Sequence, residues 1–231
     1  MTFLIAEISN HHMGKLGLAK QLVKAAQEAG ADAVKGQAFL PGDVYHLGTM
    51  PKRFYDEVAL PLNKCMELIA YGDSIGIDVF FTILSKPFEP LKRLQAFNKI
   101  AAAQFHAITP EPLAYKEIDT SNTFISMSYP NPDIKSEWLQ NANLLYATGY
   151  KGKVYHQHYD MISALFKRQL GLSHNLPGFQ DIIEMSKEYE LPWVEKHFFL
   201  GTQIVWDAFT YRDCLHSINP NEFEQLRKAL N

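Results

Sequence analysis

Ionisable side chains interrupt several short apolar segments of this 231-residue sequence. Lys35 lies within ADAVKGQAF, Lys99 lies at the start of KIAAAQF, and Glu7 lies near the end of the first apolar segment. Burying an ammonium group without a partner is costly. The two lysines therefore predict an anion between them, supplied by a carboxylate or a phosphorylated ligand. The alternative is that each lysine is an exposed strand tip or half of a solvated ion pair.

Histidines and small polar residues lie at comparable places, near the ends of other apolar segments. Imidazole is a common metal ligand, but a buried histidine is also often an ordinary hydrogen-bonded core residue, and both interpretations stay open here. The further polar candidates are Gln37, Thr82, Ser126, Ser173, Asn175, His12, His156, His158, His174 and His197.

The segments that carry these residues alternate between strand and helix patterns. Two-residue alternation and β-branched runs predict strands, and three- to four-residue apolar spacing predicts helices. The predicted strands are 4–8, 31–39, 79–84, 99–104, 124–128, 153–158, 170–174 and 193–199. The predicted helices are 15–29, 52–75, 87–96, a short one after Pro110, 130–145, 161–168, 178–189 and 221–230.

Eight strand–helix units predict a closed (β/α)8 TIM barrel, and without a linker or composition break we expect one domain over residues 1–231. In such barrels the carboxyl ends of the strands meet at one face, which is where the polar candidates fall. No glycine-rich nucleotide-binding motif follows any predicted strand.

Composition excludes several classes of function. A net charge of −3 lacks the basic field that nucleic-acid or membrane-surface binding requires. Two cysteines are too few for a disulfide framework, and no apolar run approaches the ~20 residues that would span a bilayer. The N-terminal segment lacks the basic region of a signal peptide. We therefore expect a cytoplasmic protein with small-molecule partners, without nucleic acid or membrane.

Two blocks of the sequence resemble the N-acetylneuraminate (sialic acid) synthase family. The first is AEISNHHMGKLGLAKQLVKAAQEAGADAVKGQAF, and the second consists of GLSHN, VEKHF and DCLHSINPNEFEQL. The first block resembles the family's strand-one Glu, the N-H-x-G-like loop after it, and the second-strand motif A-D-A-V-K-x-Q. In the second block, GLSHN resembles the family's G-[LY]-S-D-H, and VEKHF resembles its I-E-[KR]-H-F. The blocks occur in the family's order and cover about 40% of the chain, whereas the middle matches weakly. The resemblance covers the barrel domain, and we expect the family's C-terminal antifreeze-like domain to be lacking.

The resemblance implies a condensation of phosphoenolpyruvate with an N-acetylated hexose such as N-acetylmannosamine, assisted by a divalent metal. Manganese or magnesium is the family's usual metal, and imidazole ligation would also suit zinc or iron. By resemblance, Glu7 and Asp213 hold the sugar and His197 binds the metal. The phosphoenolpyruvate ligands are Lys35, Thr82, Lys99, Ser126 and Ser173. His12, Gln37 and Tyr159 are further candidates for substrate binding, and a homodimer is possible.

Three departures from the family pattern keep other readings open. The second metal histidine of the family falls on Asn175, so a metal site would have to be rebuilt from His156 or His158 with His197, or from the adjacent His174 if the strand end bulges. The phosphate-binding K-I-[AG]-S-G-[ED] becomes KIAAAQ, and the segment after strand six differs as well. The chain is therefore a synthase with an altered substrate, an enzyme for another phosphorylated or carboxylated sugar, or a binding protein without turnover.

Overall fold

The computed structural model describes residues 1–41, 52–83, 101–104, 123–127, 141–148, 156–201 and 214–231. Eight parallel strands close into a barrel in chain order, which confirms the predicted fold class. The strands are β1 Phe3–Ser9, β2 Ala33–Ala38, β3 Asp78–Ile83, β4 Ala101–Gln104, β5 Thr123–Met127, β6 Asn143–Ala147, β7 Gly171–His174 and β8 Trp193–His197. The helices are α1 Leu16–Glu28, α2 Lys52–Val58, α3 Leu62–Ile75, α4 His156–Phe166, α5 Gln180–Glu188 and α6 Pro220–Leu230.

Local sequence signals explain the helix boundaries. The buried residues of α1 are Ala19, Leu22, Val23 and Ala26, which is the spacing of one helical face. At the start of α6, the Asn219 side chain accepts from two backbone amides while Glu222 accepts from the Asn219 amide, and Pro220 occupies the first turn. Arg227 of α6 donates to the carbonyls of Gly30 and Thr2, which ties this helix to the amino end of the barrel.

Two sequence predictions about elements are wrong. The helix predicted over 52–75 is two helices, α2 and α3, because Pro61 provides no amide hydrogen and disfavours a helical conformation at Leu60. The sixth strand is Asn143–Ala147 and not 153–158. The end of the helix predicted over 130–145 therefore overlaps the first residues of this strand. A short, fully buried strand and a buried helix segment have the same apolar pattern.

The barrel interior is layered by the two-residue alternation of the strands. One layer is an apolar cluster of Ile5, Ala33, Phe80, Phe124 and Leu145, with Phe3 and Trp193 packed against it. Phe80 stacks on Phe124 at 5.7 Å between ring centroids. Gly171 is required beside this layer, because a Cβ atom there would lie 2.5 Å from Leu145 Cδ2 and 2.6 Å from the Trp193 carbonyl.

The next interior layer toward the carboxyl ends is polar. It consists of the residues two positions further along each of these strands, and all but Ala147 are polar: Glu7, Lys35, Thr82, Ser126, Ala147, Ser173 and Glu195. All seven are buried. The strand order therefore brings polar residues from distant parts of the sequence into one enclosed layer, above an apolar floor.

Candidate active site at the carboxyl ends of the strands

A buried ion cluster joins β1, β2 and β8. Lys35 Nζ lies 2.8 Å from Glu7 Oε2 and 2.5 Å from Glu195 Oε2, and all three side chains are at most 5% exposed. The remaining carboxylate oxygens are also engaged: the Ser9 amide donates to Glu7 Oε1 at 2.6 Å, and Ser173 Oγ donates to Glu195 Oε1 at 2.8 Å. Every carboxylate oxygen in the cluster therefore has a hydrogen-bond donor.

Burial and charge act in opposite directions in this cluster. Desolvation raises the pKa of Glu7 to about 7, helped by the charge of Glu195 and opposed by Lys35. Desolvation lowers the pKa of Lys35, but Glu195 and Glu7 outweigh it and hold that pKa above its usual value. Lys35 is therefore a permanent cation, and Glu7 can hold or release a proton near neutral pH.

Glu195 is the residue of this cluster for which the sequence predicts a place at the end of the eighth strand but no role in the site. The anion predicted beside Lys35 is supplied here by two carboxylates of the chain itself. The signal was present in the alternation: Glu195 and His197 are two residues apart in β8 and so share its inward face. Lys99, the second predicted anion-binding lysine, lies outside the described residues.

His197 and Asn175 lie together beyond the ion cluster, at the ends of β8 and β7. His197 Nε2 lies 3.1 Å from Asn175 Oδ1. The backbone amide of Asn175 donates to Thr148 Oγ1 at 2.7 Å, and its Nδ2 donates to the Thr148 carbonyl at 3.0 Å. Thr148, which follows β6, therefore fixes the Asn175 side chain against His197.

His174 lies on the opposite face of β7 from Ser173. Its Nδ1 lies 3.0 Å from Lys196 Nζ, and its Nε2 lies 3.5 Å from Asp181 of α5. Strand alternation without a bulge explains this orientation, so the prediction that His174 replaces the missing metal ligand is wrong. Lys196 also donates to the Leu176 carbonyl at 2.5 Å, which restrains the segment around Asn175 from outside the barrel. Burial lowers the pKa of Lys196 to about 7.

The loop after β1 contacts the end of the neighbouring strand β2. Asn10 Nδ2 donates to Gln37 Oε1 at 2.8 Å, which connects this loop to the end of β2. His12 is fully buried, and its Nδ1 accepts from the Gly14 amide at 3.1 Å. Burial, with a smaller contribution from His11, lowers the pKa of His12 to about 4, so its imidazole is neutral.

The other predicted site residues are only partly brought together. Thr82 and Ser126 lie in the polar layer, and Thr82 Oγ1 is buried without a hydrogen-bond partner among the described residues. Tyr159 belongs to α4 and exchanges hydrogen bonds with the backbone of Leu170, before β7, so its predicted role at the carboxyl-end site is wrong. His158 is on α4 as well and not on a strand. Asp213 lies outside the described residues.

No family model matches the chain, but individual relatives do. It is 25% identical, over an alignment 258 positions long including gaps, to a pseudaminic acid synthase of Campylobacter jejuni, covering 99% of this chain and 72% of that protein. It is 51% identical over 113 residues to another C. jejuni pseudaminic acid synthase, covering 43% of this chain. The chain is thus similar in sequence to two enzymes named pseudaminic acid synthases.

One solved structure and a third relative define how far these similarities extend. The barrel superposes on a sialic acid synthetase of Leptospira borgpetersenii with a TM-score of 0.72 and 17% identity, covering 99% of this chain and 82% of that one. An uncharacterised protein of Methanocaldococcus jannaschii is 30% identical over 141 residues. The chain spans 40% of that protein's length and 32% of the second Campylobacter synthase.

Two further properties concern the described residues as a whole. Among the described residues, no group of three or more His, Cys, Asp or Glu side chains could hold a metal ion, and the divalent metal stays a prediction. Within the same residues, no helix has the length and apolar character needed to cross a membrane.

Proposed function

We propose that the polar layer binds phosphoenolpyruvate and that the chain condenses it with an N-acetylated sugar aldehyde to give a nonulosonic acid. The observation that carries this proposal is the layer itself. A permanent cation, Lys35, lies in one enclosed layer with the hydroxyls of Thr82 and Ser126, while Ser173 donates its hydroxyl hydrogen to Glu195. Phosphate and carboxylate oxygens require such donors. The relatives named as pseudaminic acid synthases support the reaction type.

Thr82 is the donor best placed to identify a ligand. Its hydroxyl is buried in the inward row of β3 and has no partner within the described part of the chain. An unpaired buried hydroxyl costs about 1–3 kcal/mol. A bound phosphoenolpyruvate oxygen would remove that cost, which supports a role for Thr82 in ligand binding.

The charge of the layer depends on Glu7. With both carboxylates ionised, the cluster of Glu7, Lys35 and Glu195 has a net charge of −1, which opposes an anionic ligand. Protonation of Glu7, whose pKa is raised to about 7, makes the cluster neutral. We infer that phosphoenolpyruvate binds together with a proton on Glu7, with Lys99 as the second cation.

The proposed reaction forms one bond between the substrates and releases phosphate. C3 of phosphoenolpyruvate attacks the aldehyde carbon of the sugar, and the aldehyde oxygen takes up a proton. Water then adds at C2, and the C2–phosphate bond breaks with loss of inorganic phosphate. Glu7, together with Asp213, is assigned to the sugar, and protonated Glu7 is suited to supply the proton near neutral pH.

Calorimetric titration with phosphoenolpyruvate tests the binding step. Thr82→Val keeps the side-chain shape but removes the hydroxyl, and should weaken binding by about 10- to 100-fold, the value of a hydrogen bond to a charged group. Thr123→Val is the matched control, because Thr123 precedes the inward residue Phe124 and lies on the other face of β5. Equal affinity in wild-type protein and Thr82→Val, or no binding to either, would refute the proposed site.

A further inference from the structure

Lys196 is a buried lysine on the outer face of β8. Its neighbours Glu195 and His197 face the barrel interior, so strand alternation turns Lys196 toward the surrounding helices. The residue is fully buried, and its Nζ donates to the Leu176 carbonyl at 2.5 Å and lies 3.0 Å from His174 Nδ1. Both the ammonium and the neutral amine of a lysine can donate to a carbonyl, so the contact with Leu176 does not depend on the charge of Lys196.

The contact with Leu176 lies just beyond the paired part of β7 and β8. The register of the two strands ends with His174 opposite Lys196, so Asn175 and Leu176 lie past the ladder. Buried backbone groups at such a place need partners from outside the ladder. On the β6 side, Thr148 Oγ1 accepts from the Asn175 amide at 2.7 Å. On the β8 side, Lys196 donates to the Leu176 carbonyl, so the two side chains hold this short segment from both sides.

The segment held in this way carries a side chain of the candidate site. Asn175 lies between the two restraints, and its Oδ1 lies 3.1 Å from His197 Nε2. Ser173 and Glu195, two residues earlier in β7 and β8, belong to the polar layer and are paired within the ladder. Loss of the Lys196 contact should therefore displace Asn175 relative to His197 and leave the polar layer in place.

We propose that Lys196 is a positioning residue, which acts from outside the barrel by holding the backbone at Leu176 and so keeps Asn175 at His197. The inference rests on the proposed function in one respect. With phosphoenolpyruvate in the polar layer, the sugar lies on the side away from the apolar floor, next to Asn175 and His197. A misplacement of about 1 Å can lower a rate by about 100-fold. The expected effect of losing Lys196 is therefore on turnover with the sugar and not on phosphoenolpyruvate affinity.

Hydrogen exchange of backbone amides, followed by NMR, tests the positioning without any substrate. Lys196→Met replaces the buried amine with an apolar side chain of similar length, a change that folded proteins often tolerate. The Asn175 amide should then exchange at least about tenfold faster than in wild-type protein, because the local restraint is lost, while the buried Ala6 and Val34 keep their rates. Lys196→Arg, which keeps a donor, should restore most of the protection. Lys187→Met, at an exposed position of α5, is the matched control and should change nothing.

The pattern of exchange separates local positioning from a general structural role. An unchanged exchange rate of the Asn175 amide in Lys196→Met would overturn the proposal. So would an equal acceleration at Ala6 and Val34, or failure of this variant to fold, because each would show that Lys196 supports the whole barrel and not the segment at Asn175.

Steady-state kinetics with phosphoenolpyruvate and a sugar that the wild-type protein condenses provide the second measurement. Lys196→Met should lower kcat by about 10- to 100-fold. The dissociation constant of phosphoenolpyruvate, measured by calorimetry, should stay within about twofold, as expected for a site that Lys196 does not contact. Lys196→Arg should recover part of kcat. An unchanged kcat, or a loss of phosphoenolpyruvate affinity as large as the loss of kcat, would overturn the proposal. If the wild-type protein does not turn over phosphoenolpyruvate, the proposed function fails, and hydrogen exchange still decides whether Lys196 positions Asn175.

Discussion

Removing the Lys35 ammonium should leave two buried carboxylates side by side without a cation. Lys35→Met keeps much of the side-chain volume but removes both contacts, at 2.8 Å to Glu7 and 2.5 Å to Glu195. Breaking a buried ion pair by deleting one partner costs about 3–5 kcal/mol, because the remaining charge stays buried. We expect the free energy of unfolding at pH 8, measured by urea denaturation, to fall by about that amount.

The size of this loss should depend on pH in a defined direction. Glu7 has a folded-state pKa raised from 4.5 to about 7, so the folded protein holds a proton that the unfolded chain releases, and this stabilisation is lost as pH rises from 4.5 to 7. Lys35 lowers the pKa of Glu7, so without Lys35 that pKa rises further. The deficit of Lys35→Met should therefore be larger at pH 8 than at pH 5.

Lys64→Met is the matched control for this experiment. Lys64 Nζ lies 3.0 Å from Glu67 Oε2, but both side chains are more than 40% exposed, and such surface pairs contribute little. The same substitution there should barely change the unfolding free energy at either pH. A loss below about 1 kcal/mol in Lys35→Met, or a loss that is equal at pH 5 and pH 8, would refute the ion-cluster argument.

Two further predictions concern the loop after β1 and the barrel interior. His12 has a folded-state pKa lowered from 6.5 to about 4, so it should cost up to about 3 kcal/mol of stability as pH falls through that window. His12→Asn, which can still accept from the Gly14 amide, should flatten the acid limb of a thermal-melting profile; an unchanged limb would contradict the assignment. Gly171→Ala should destabilise the barrel in urea denaturation, because its Cβ has no space. Gly17→Ala, with nothing within 4 Å and a position inside α1, should stabilise it by about 0.5–1 kcal/mol, and equal effects of the two would contradict the packing argument.

Strands could be predicted from the sequence where an apolar run and the turn residues on either side of it indicate the same boundaries. Strands β1, β2, β3, β7 and β8 lie within two residues of their predicted bounds, because each is a short apolar run bounded by a glycine, proline or polar turn. The sixth strand was misplaced because NLLYA has no alternation to separate it from a helix. The single domain over 1–231, the cytoplasmic location and the homodimer stay predictions.

The sequence was enough to predict where the candidate site lies, but not which of its side chains contact one another. The alternation that puts Lys35 and Glu7 inward also puts Glu195 inward, but which charges pair depends on β1 lying between β2 and β8. The role of Asn175 depends on Thr148, which is distant in sequence and joins it only through the order of β6 and β7. Such partners follow from the closed barrel and not from local pattern.

The proposed activity of this barrel is the condensation of phosphoenolpyruvate with a sugar aldehyde. The most direct measurement is mass spectrometry of the products formed from phosphoenolpyruvate and N-acetylated hexoses, including N-acetylmannosamine, with phosphate release followed in parallel. We expect a product with the combined mass of both substrates plus water minus phosphoric acid, equimolar phosphate, and a lower rate in Thr82→Val than in Thr123→Val. Phosphate release that does not depend on the sugar, or no product with any N-acetylated hexose in the presence or absence of Mn²⁺, would contradict it.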